Sequence, residues 1–140
     1  MSDHSPASLR SRLSQALQRQ PEILEGYLFG SQAADTAQAH SDIDVAVYVE
    51  PGHSLDSGFG YQAELTAILM AALETNDIDV VILNCAAPLL YHRVLAQGIR
   101  LLTRDLAATT TREGYALSRY CDYVPQLAKL DAGRRAAITP

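Results

Sequence analysis

The 140-residue chain, of 15.2 kDa, is long enough for one domain whose core needs no disulfide support. Hydrophobic residues make up 48% and charged residues 19%, a balance typical of globular proteins and unlike that of disordered chains. A net charge of −5 argues against a general binder of nucleic-acid backbones, which would carry a basic surface. No apolar run approaches the roughly 18 residues of a membrane span. No signal-peptide core stands near the start, so we expect a cytoplasmic protein without membrane contacts.

The two cysteines, Cys85 and Cys121, form no CxxC motif and have no histidine at zinc-ligand spacing from both. We therefore expect reduced thiols that are buried in the fold. This use of cysteine agrees with a cytosolic protein rather than a secreted, disulfide-stabilised one.

Hydrophobic periodicity and turn residues divide the chain into alternating helices and strands. Pro6 suits the first turn of a helix that Pro21 stops. The strands predicted after it are, in chain order, 26–29, 43–49, 77–83 and 99–102. The helices predicted between and after them are a short one within 31–39, then about 58–74, 88–98 and from 103 onward, where Pro125 kinks or ends the last. This order predicts a single α/β domain over residues 1–140, built on a small mixed sheet flanked by helices, with a C-terminal helix and a disordered tail at 131–140.

Three acidic residues stand on predicted strands, where a charged side chain needs an explanation. Asp42 and Asp44 lie two apart at the start of the 43–49 strand, so period-two geometry points both to one face. Asp79 lies in the 77–83 strand, and the three carboxylates converge if the two strands are neighbours. Clustered carboxylates repel unless a cation lies between them, and Mg²⁺ is the hard cation that oxygen ligands prefer. Two such ions form the usual clamp for in-line phosphoryl transfer. For any single one of these residues, an Asp that merely caps a strand end is the plainer interpretation.

Gly30 and Ser31 follow the 26–29 strand and precede the predicted short helix. A glycine lets the backbone approach a ligand closely, and a serine hydroxyl with helix N-terminal amides can bind a phosphate. Alone, the pair describes any turn. Its position strengthens the hypothesis, because ten residues, 32–41, separate it from Asp42.

Gly30-Ser31, the ten-residue spacer and Asp42-Ile43-Asp44 together resemble the signature of the DNA-polymerase-β-type nucleotidyltransferase superfamily. The most similar branch is that of the minimal nucleotidyltransferases, the MNT antitoxins paired with HEPN toxins. In that pattern the third acid is Asp79. Residues 91–105 and 112–127 also resemble the branch, so the resemblance covers roughly residues 26–130.

The resemblance implies a polymerase-β-like fold and a metal-dependent reaction. The phosphates of ATP would bind at Gly30 and Ser31, and Asp42 and Asp44 would hold two Mg²⁺ ions. Asp79 would help to bind the catalytic metal and to remove a proton from the attacking hydroxyl. In the MNT branch, this implies AMP transfer from ATP to a tyrosine of a HEPN RNase toxin, which is silenced in a hetero-oligomer with the antitoxin.

Ala34 and Asp35 depart from the family pattern, since they stand where the family often has Arg and then Gly. Asp35 would weaken triphosphate binding if it pointed into the site. His40 precedes Asp42 closely enough to line the site, although a solvent-exposed loop position is the plainer interpretation. The tyrosines of the last predicted helix suit either packing or contact with a partner: Tyr115, Tyr120 and Tyr123.

Two other functions remain open at this point. A module of the same fold could neutralise its partner by contact alone, although this gives no reason to keep three costly clustered carboxylates. A small-molecule nucleotidyltransferase, such as an aminoglycoside-modifying type, is the second alternative. Those enzymes usually carry an added substrate domain, for which 140 residues leave little room.

Overall fold

The computed structural model describes residues 6–30, 42–53 and 58–138. The described helices are α1 (Pro6–Gln18), α2 (Gly58–Leu73), α3 (Pro88–Gln97) and α4 (Leu106–Ile138), and the strands are β1 (Ile23–Phe29), β2 (Ile43–Val49), β3 (Ile78–Ile82) and β4 (Ile99–Thr103). A 3-10 turn at Leu83–Cys85 connects β3 to α3. The short helix predicted within 31–39 lies outside the described residues.

The four strands form one mixed sheet in the order β3-β2-β1-β4, which confirms the predicted α/β class with a small mixed sheet. β1 runs antiparallel to both of its neighbours, whereas β2 and β3 are parallel. A parallel pair needs a crossover connection, and α2 provides it between β2 and β3. Because β1 ends where β2 and β3 begin, three chain segments meet at one edge of the sheet.

Two separate hydrophobic clusters cover the two faces of this sheet. On the first face, α1 and α2 bury Leu13, Leu17, Leu65 and Leu69 against alternate residues of the strands, which are Ile43, Val45, Val47, Val49, Ile78 and Val80. On the second face, α3 and α4 pack on Tyr27, Phe29 and Ala46 through residues that include Tyr91, Val94 and Ala116. The side chains that alternate with the first cluster therefore point toward α3 and α4.

The long helix α4 continues through Pro125 to Ile138, so the segment 131–138, for which the sequence predicts disorder, is helical. Its inner face buries Thr109 and Ala116, and Tyr120 stacks on His92 of α3 with ring centroids 3.7 Å apart. None of the helices within the described residues combines the length and the apolar character that crossing a membrane requires.

The prediction of buried cysteines is wrong, because Cys85 and Cys121 are both free thiols on the surface. Cys85 lies in the exposed part of the 3-10 turn, and Cys121 lies on the outer side of α4. Cys121 follows the helical spacing of Leu117 and Val124, but these two residues are exposed as well, so this apolar periodicity marks an outer face of α4 and not its buried face.

A buried ion pair connects α4 to the central strand. Glu25 of β1 is completely buried, and its Oε1 accepts a hydrogen bond from Arg112 Nε of α4. Burial raises the pKa of Glu25, and the contact with Arg112 only partly offsets this effect. The Arg112 guanidinium also lies over the Tyr48 ring, 4.9 Å from its centroid. The other carboxylate oxygen, Oε2, has no hydrogen-bond partner among the described residues.

This ion pair generates a stability prediction. Replacing Arg112→Met leaves a buried carboxylate without its cation, which should cost about 3–5 kcal/mol of unfolding free energy. The double variant Arg112→Met with Glu25→Gln removes the stranded charge and should recover most of that loss. Urea denaturation at pH 7 measures all three proteins, and an Arg112→Met variant as stable as its parent would contradict the assignment.

Candidate active site

Three predicted site residues lie where β1 ends and where β2 and β3 begin. In the register, Phe29 of β1 pairs with Asp44 of β2, and Asp44 pairs with Asp79 of β3. Residues paired across parallel strands project to the same face, and neighbouring strands lie about 4.8 Å apart. Asp42 lies immediately before β2, two residues from Asp44, and its negative charge acts on Asp44. The structure thus places Asp44 and Asp79 side by side on the face that carries α3 and α4, with Asp42 at the start of the same strand.

Asp44 is the half-buried member of this group, whereas Asp42 and Asp79 are exposed. Its burial raises the pKa of the Asp44 carboxyl, and the negative charges of Asp79 and Asp42 raise it further. Arg93 of α3 acts in the opposite direction and lowers the pKa. The site therefore holds a carboxylate whose ionised form is disfavoured by its surroundings.

Within residues 6–30, 42–53 and 58–138, the side chains do not already form a group of three that could hold a metal ion. Mutual repulsion of like charges gives them no reason to converge without a cation between them. The donor set nevertheless fits Mg²⁺, since all three residues offer carboxylate oxygens and two of them, Asp44 and Asp79, are paired across neighbouring strands.

Gly30 closes the site on the side of β1. Its φ of 76° lies in the left-handed region, which side chains other than glycine rarely adopt. A Cβ atom at this position would overlap Oδ2 of Asp44. The glycine therefore makes room for the carboxylate of Asp44, a role that its position before Ser31 does not reveal in the sequence.

Ser31, His40, Ala34 and Asp35 lie outside the described residues, so their predicted roles stay predictions. Arg93, the cation that acts on Asp44, was not predicted from the sequence. The signal that could have found it is the lack of any other Lys or Arg near the three acids in the sequence.

A second polar cluster lies on the far side of α3, around an open cavity of about 400 Å³. Its centre is Glu113, whose Oε2 accepts a hydrogen bond of 2.7 Å from the Tyr27 hydroxyl. Arg100 forms a salt bridge of 2.6 Å to Oε1 of Glu113. Burial alone would raise the pKa of Glu113, but the bonds from Arg100 and Tyr27 outweigh it and lower the pKa. Since every polar group here has a partner, we assign this cluster to the packing of α4.

A comparison with protein families assigns the chain to a family that fits the sheet order, the acidic edge and Gly30. Residues 11–107 match the family described as polymerase beta, nucleotidyltransferase. This match spans all four strands of the sheet and all three acids. The chain belongs to the polymerase beta nucleotidyltransferase family.

Individual members of this family show which of its proteins the chain is similar to. The chain is 37% identical over 81 residues to the protein adenylyltransferase MntA of Shewanella oneidensis, covering 58% of this chain and 55% of that protein. The match thus spans about half the length of that curated relative. Among solved structures, one chain of the tri-AMPylated Shewanella oneidensis HEPN toxin in complex with MNT antitoxin aligns with a TM-score of 0.67 and 25% identity, over 96% of this chain and all of that chain. A toxin–antitoxin structure with AMP-PNP aligns with a TM-score of 0.63 and 28% identity, over 92% and 94%.

The contact between Gly30 and Asp44 predicts a specific energetic coupling. Gly30→Ala should destabilise the protein by about 1–2 kcal/mol through the left-handed backbone and by on the order of 1 kcal/mol more through overlap with Asp44. In an Asp44→Ala background only the backbone contribution should remain, so a double-mutant cycle isolates the overlap. Gly52→Ala is the matched control, because nothing lies within 4 Å of a Cβ there. A cycle without coupling would refute the close approach.

The raised pKa of Asp44 predicts how stability depends on pH. Because the folded-state pKa lies above the unfolded value, ionised Asp44 destabilises the fold at neutral pH, and this effect disappears below the unfolded pKa of about 4. Asp44→Asn should therefore be more stable than its parent at pH 7 in metal-free buffer, and the difference should shrink toward zero near pH 4. Denaturation midpoints at both pH values measure this, and an unchanged difference would contradict it.

Proposed function

We propose that this protein is an antitoxin nucleotidyltransferase that transfers AMP from ATP to a tyrosine hydroxyl of a HEPN-type RNase toxin, which silences the toxin. The observation that carries the proposal is the meeting of Gly30, Asp44 and Asp79 at one edge of a sheet of nucleotidyltransferase type. The similarity to a protein adenylyltransferase and to an AMPylated toxin complex supports a protein acceptor. The AMP-PNP complex of a relative supports ATP as the donor.

In this proposal, Asp42 and Asp44 would hold two Mg²⁺ ions. Asp79 would help to hold the catalytic ion and would take up the proton of the attacking tyrosine hydroxyl. The tyrosine oxygen forms a bond to the α-phosphorus, the bond from that phosphorus to the leaving oxygen breaks, and pyrophosphate departs. When bound, Mg²⁺ supplies the positive charge that neutralises the phosphates in the transition state. Gly30 and Ser31 bind the phosphates of the nucleotide.

The outer side of α4 is where we place the toxin in a hetero-oligomer. Three large apolar side chains are exposed on one face of this helix, Leu106, Leu117 and Val124, and Tyr115 is 69% exposed on its opposite flank. Exposed apolar and aromatic residues are typical of surfaces that bind another protein. Because ATP and the RNA targets of the toxin are cytoplasmic, we place the reaction in the cytoplasm.

The proposal is tested by removing the metal ligands without removing their shape. The double variant Asp42→Asn with Asp44→Asn should lose AMP transfer to the toxin by at least about 10²–10³-fold, because the electrostatic stabilisation of the phosphates is lost. It should fold at least as stably as its parent, since like-charge repulsion is relieved. It should also still bind the toxin. Intact-mass spectrometry of the toxin measures transfer, and size-exclusion chromatography measures the complex.

A matched control removes two exposed carboxylates near α2, on the opposite face of the sheet, with Glu64→Gln and Glu74→Gln. This control should transfer AMP as the parent does. EDTA should abolish transfer by the parent, and Mg²⁺ or Mn²⁺ should restore it. Full transfer in excess chelator would contradict the metal assignment. An unmodified toxin together with full growth rescue by the double Asn variant would favour neutralisation by contact alone.

A further inference from the structure

The segment of the chain that supplies the acidic residues of the site contains no strongly basic side chains. No Lys or Arg occurs anywhere in residues 20–92, although this stretch holds eleven of the sixteen acidic residues, including all three at the site. Enzymes that transfer phosphoryl groups usually combine metal ions with Arg or Lys side chains that bind the phosphates. Any such side chain must therefore reach this site from outside that stretch.

Arg93 is the first basic residue after Arg19, and α3 carries it to the site. The neighbouring positions Tyr91 and Val94 are buried against the sheet face on which Asp44 lies. At the end of α3, the Gly98 amide donates a 2.7 Å hydrogen bond to the Val94 carbonyl. A Cβ at Gly98 would lie 3.3 Å from the Leu28 carbonyl oxygen of β1. The second half of α3 thus lies over the end of β1 that leads into Gly30.

Three arginines after α3 pack around the sheet, and each of them binds a partner away from the site. Arg100 binds Glu113, Arg112 binds Glu25, and Arg104 donates to the backbone carbonyls of Ile23 and Gln20. Arg93, by contrast, is exposed and makes no ion pair with any carboxylate in the part of the chain that the structure describes. Its neighbours Tyr91 and Val94 pack in one cluster with Ala46, which lies two residues after Asp44 on the same face of β2.

We propose that Arg93 binds the phosphates of the incoming nucleoside triphosphate, opposite the carboxylates of Asp44 and Asp79. This inference rests on the proposed function of the site as a nucleotidyltransferase centre. Arg93 is then a substrate-binding residue that comes from a helix, whereas the metal ligands come from strands. A guanidinium suits this task because its planar set of donors binds phosphate oxygens in pairs.

Direct binding measurements test this assignment without the toxin. ATP with Mg²⁺, and inorganic tripolyphosphate with Mg²⁺, are titrated by calorimetry into the parent and into Arg93→Gln, Arg93→Lys and Arg19→Gln. Arg93→Gln should weaken both ligands by about 10–100-fold, because charge-assisted hydrogen bonds are lost. Arg93→Lys should recover part of the loss, since it keeps the charge. Arg19→Gln removes the same charge from an exposed position at the end of α1 and should bind like the parent.

The outcomes separate this inference from the proposed function. If Arg93→Gln and Arg19→Gln bind ATP equally well, the assignment of Arg93 is wrong even when the parent transfers AMP. If Arg93→Gln binds ATP normally but loses its complex with the toxin, Arg93 contacts the partner instead, and the assignment is again wrong. A parent that binds ATP but modifies no toxin refutes the proposed function alone, and a parent that binds neither ATP nor tripolyphosphate refutes both. Thermal unfolding of Arg93→Gln should match that of the parent, because the side chain is exposed.

Discussion

The parallel pairing of β2 and β3 places Asp44 and Asp79 side by side, where their negative charges repel each other. The packing of the rest of the sheet has to maintain this pairing against the repulsion. A slip of either strand by one residue would separate the charges, but it would also turn the apolar side chains away from the first core. Ile43 and Val45 on β2, and Ile78 and Val80 on β3, are all buried in that core. The hydrophobic face of the sheet therefore fixes a register that the acidic face alone would not choose.

The second face of the sheet is built differently, because polar contacts share the work of packing α4. The buried pair of Glu25 and Arg112 and the cluster of Tyr27, Glu113 and Arg100 both tie this helix to the centre of the sheet. Directional bonds to charged groups determine which side of a helix faces inward more strictly than apolar contacts do. The orientation of α4 decides which of its apolar residues remain outside, where the proposed partner binds.

Much of this architecture could be predicted from the sequence, because it follows from local periodicity. The alternation of 43–49 identified β2 and put Asp42 and Asp44 on one face, and the ends of α1, α2 and α3 were predicted to within two residues. The sequence predicted only 26–29 of β1, because the charge of Glu25 argues against a buried strand. The partner that neutralises this charge, Arg112, lies 87 positions away in the sequence. The close approach of Gly30 to Asp44 was missed for the same reason. It depends on the pairing of β1 with β2, which no local pattern specifies.

The position of Arg93 on α3 depends on contacts that are far from the acids in the sequence. Strand pairing places Asp44 beside Asp79. Arg93, a cation among the described residues that acts on Asp44, belongs instead to α3, which packs through the second core. Tyr91 and Val94 attach α3 to β1, so the position of Arg93 depends on contacts that Phe29 and Tyr27 make on the opposite side of their strand from the first core. A change in either core would therefore act on a different half of the site. Disturbing the first core moves the carboxylates, whereas disturbing the second moves the guanidinium. The balance of charge around a bound triphosphate requires both cores to be intact at once, although no residue belongs to both.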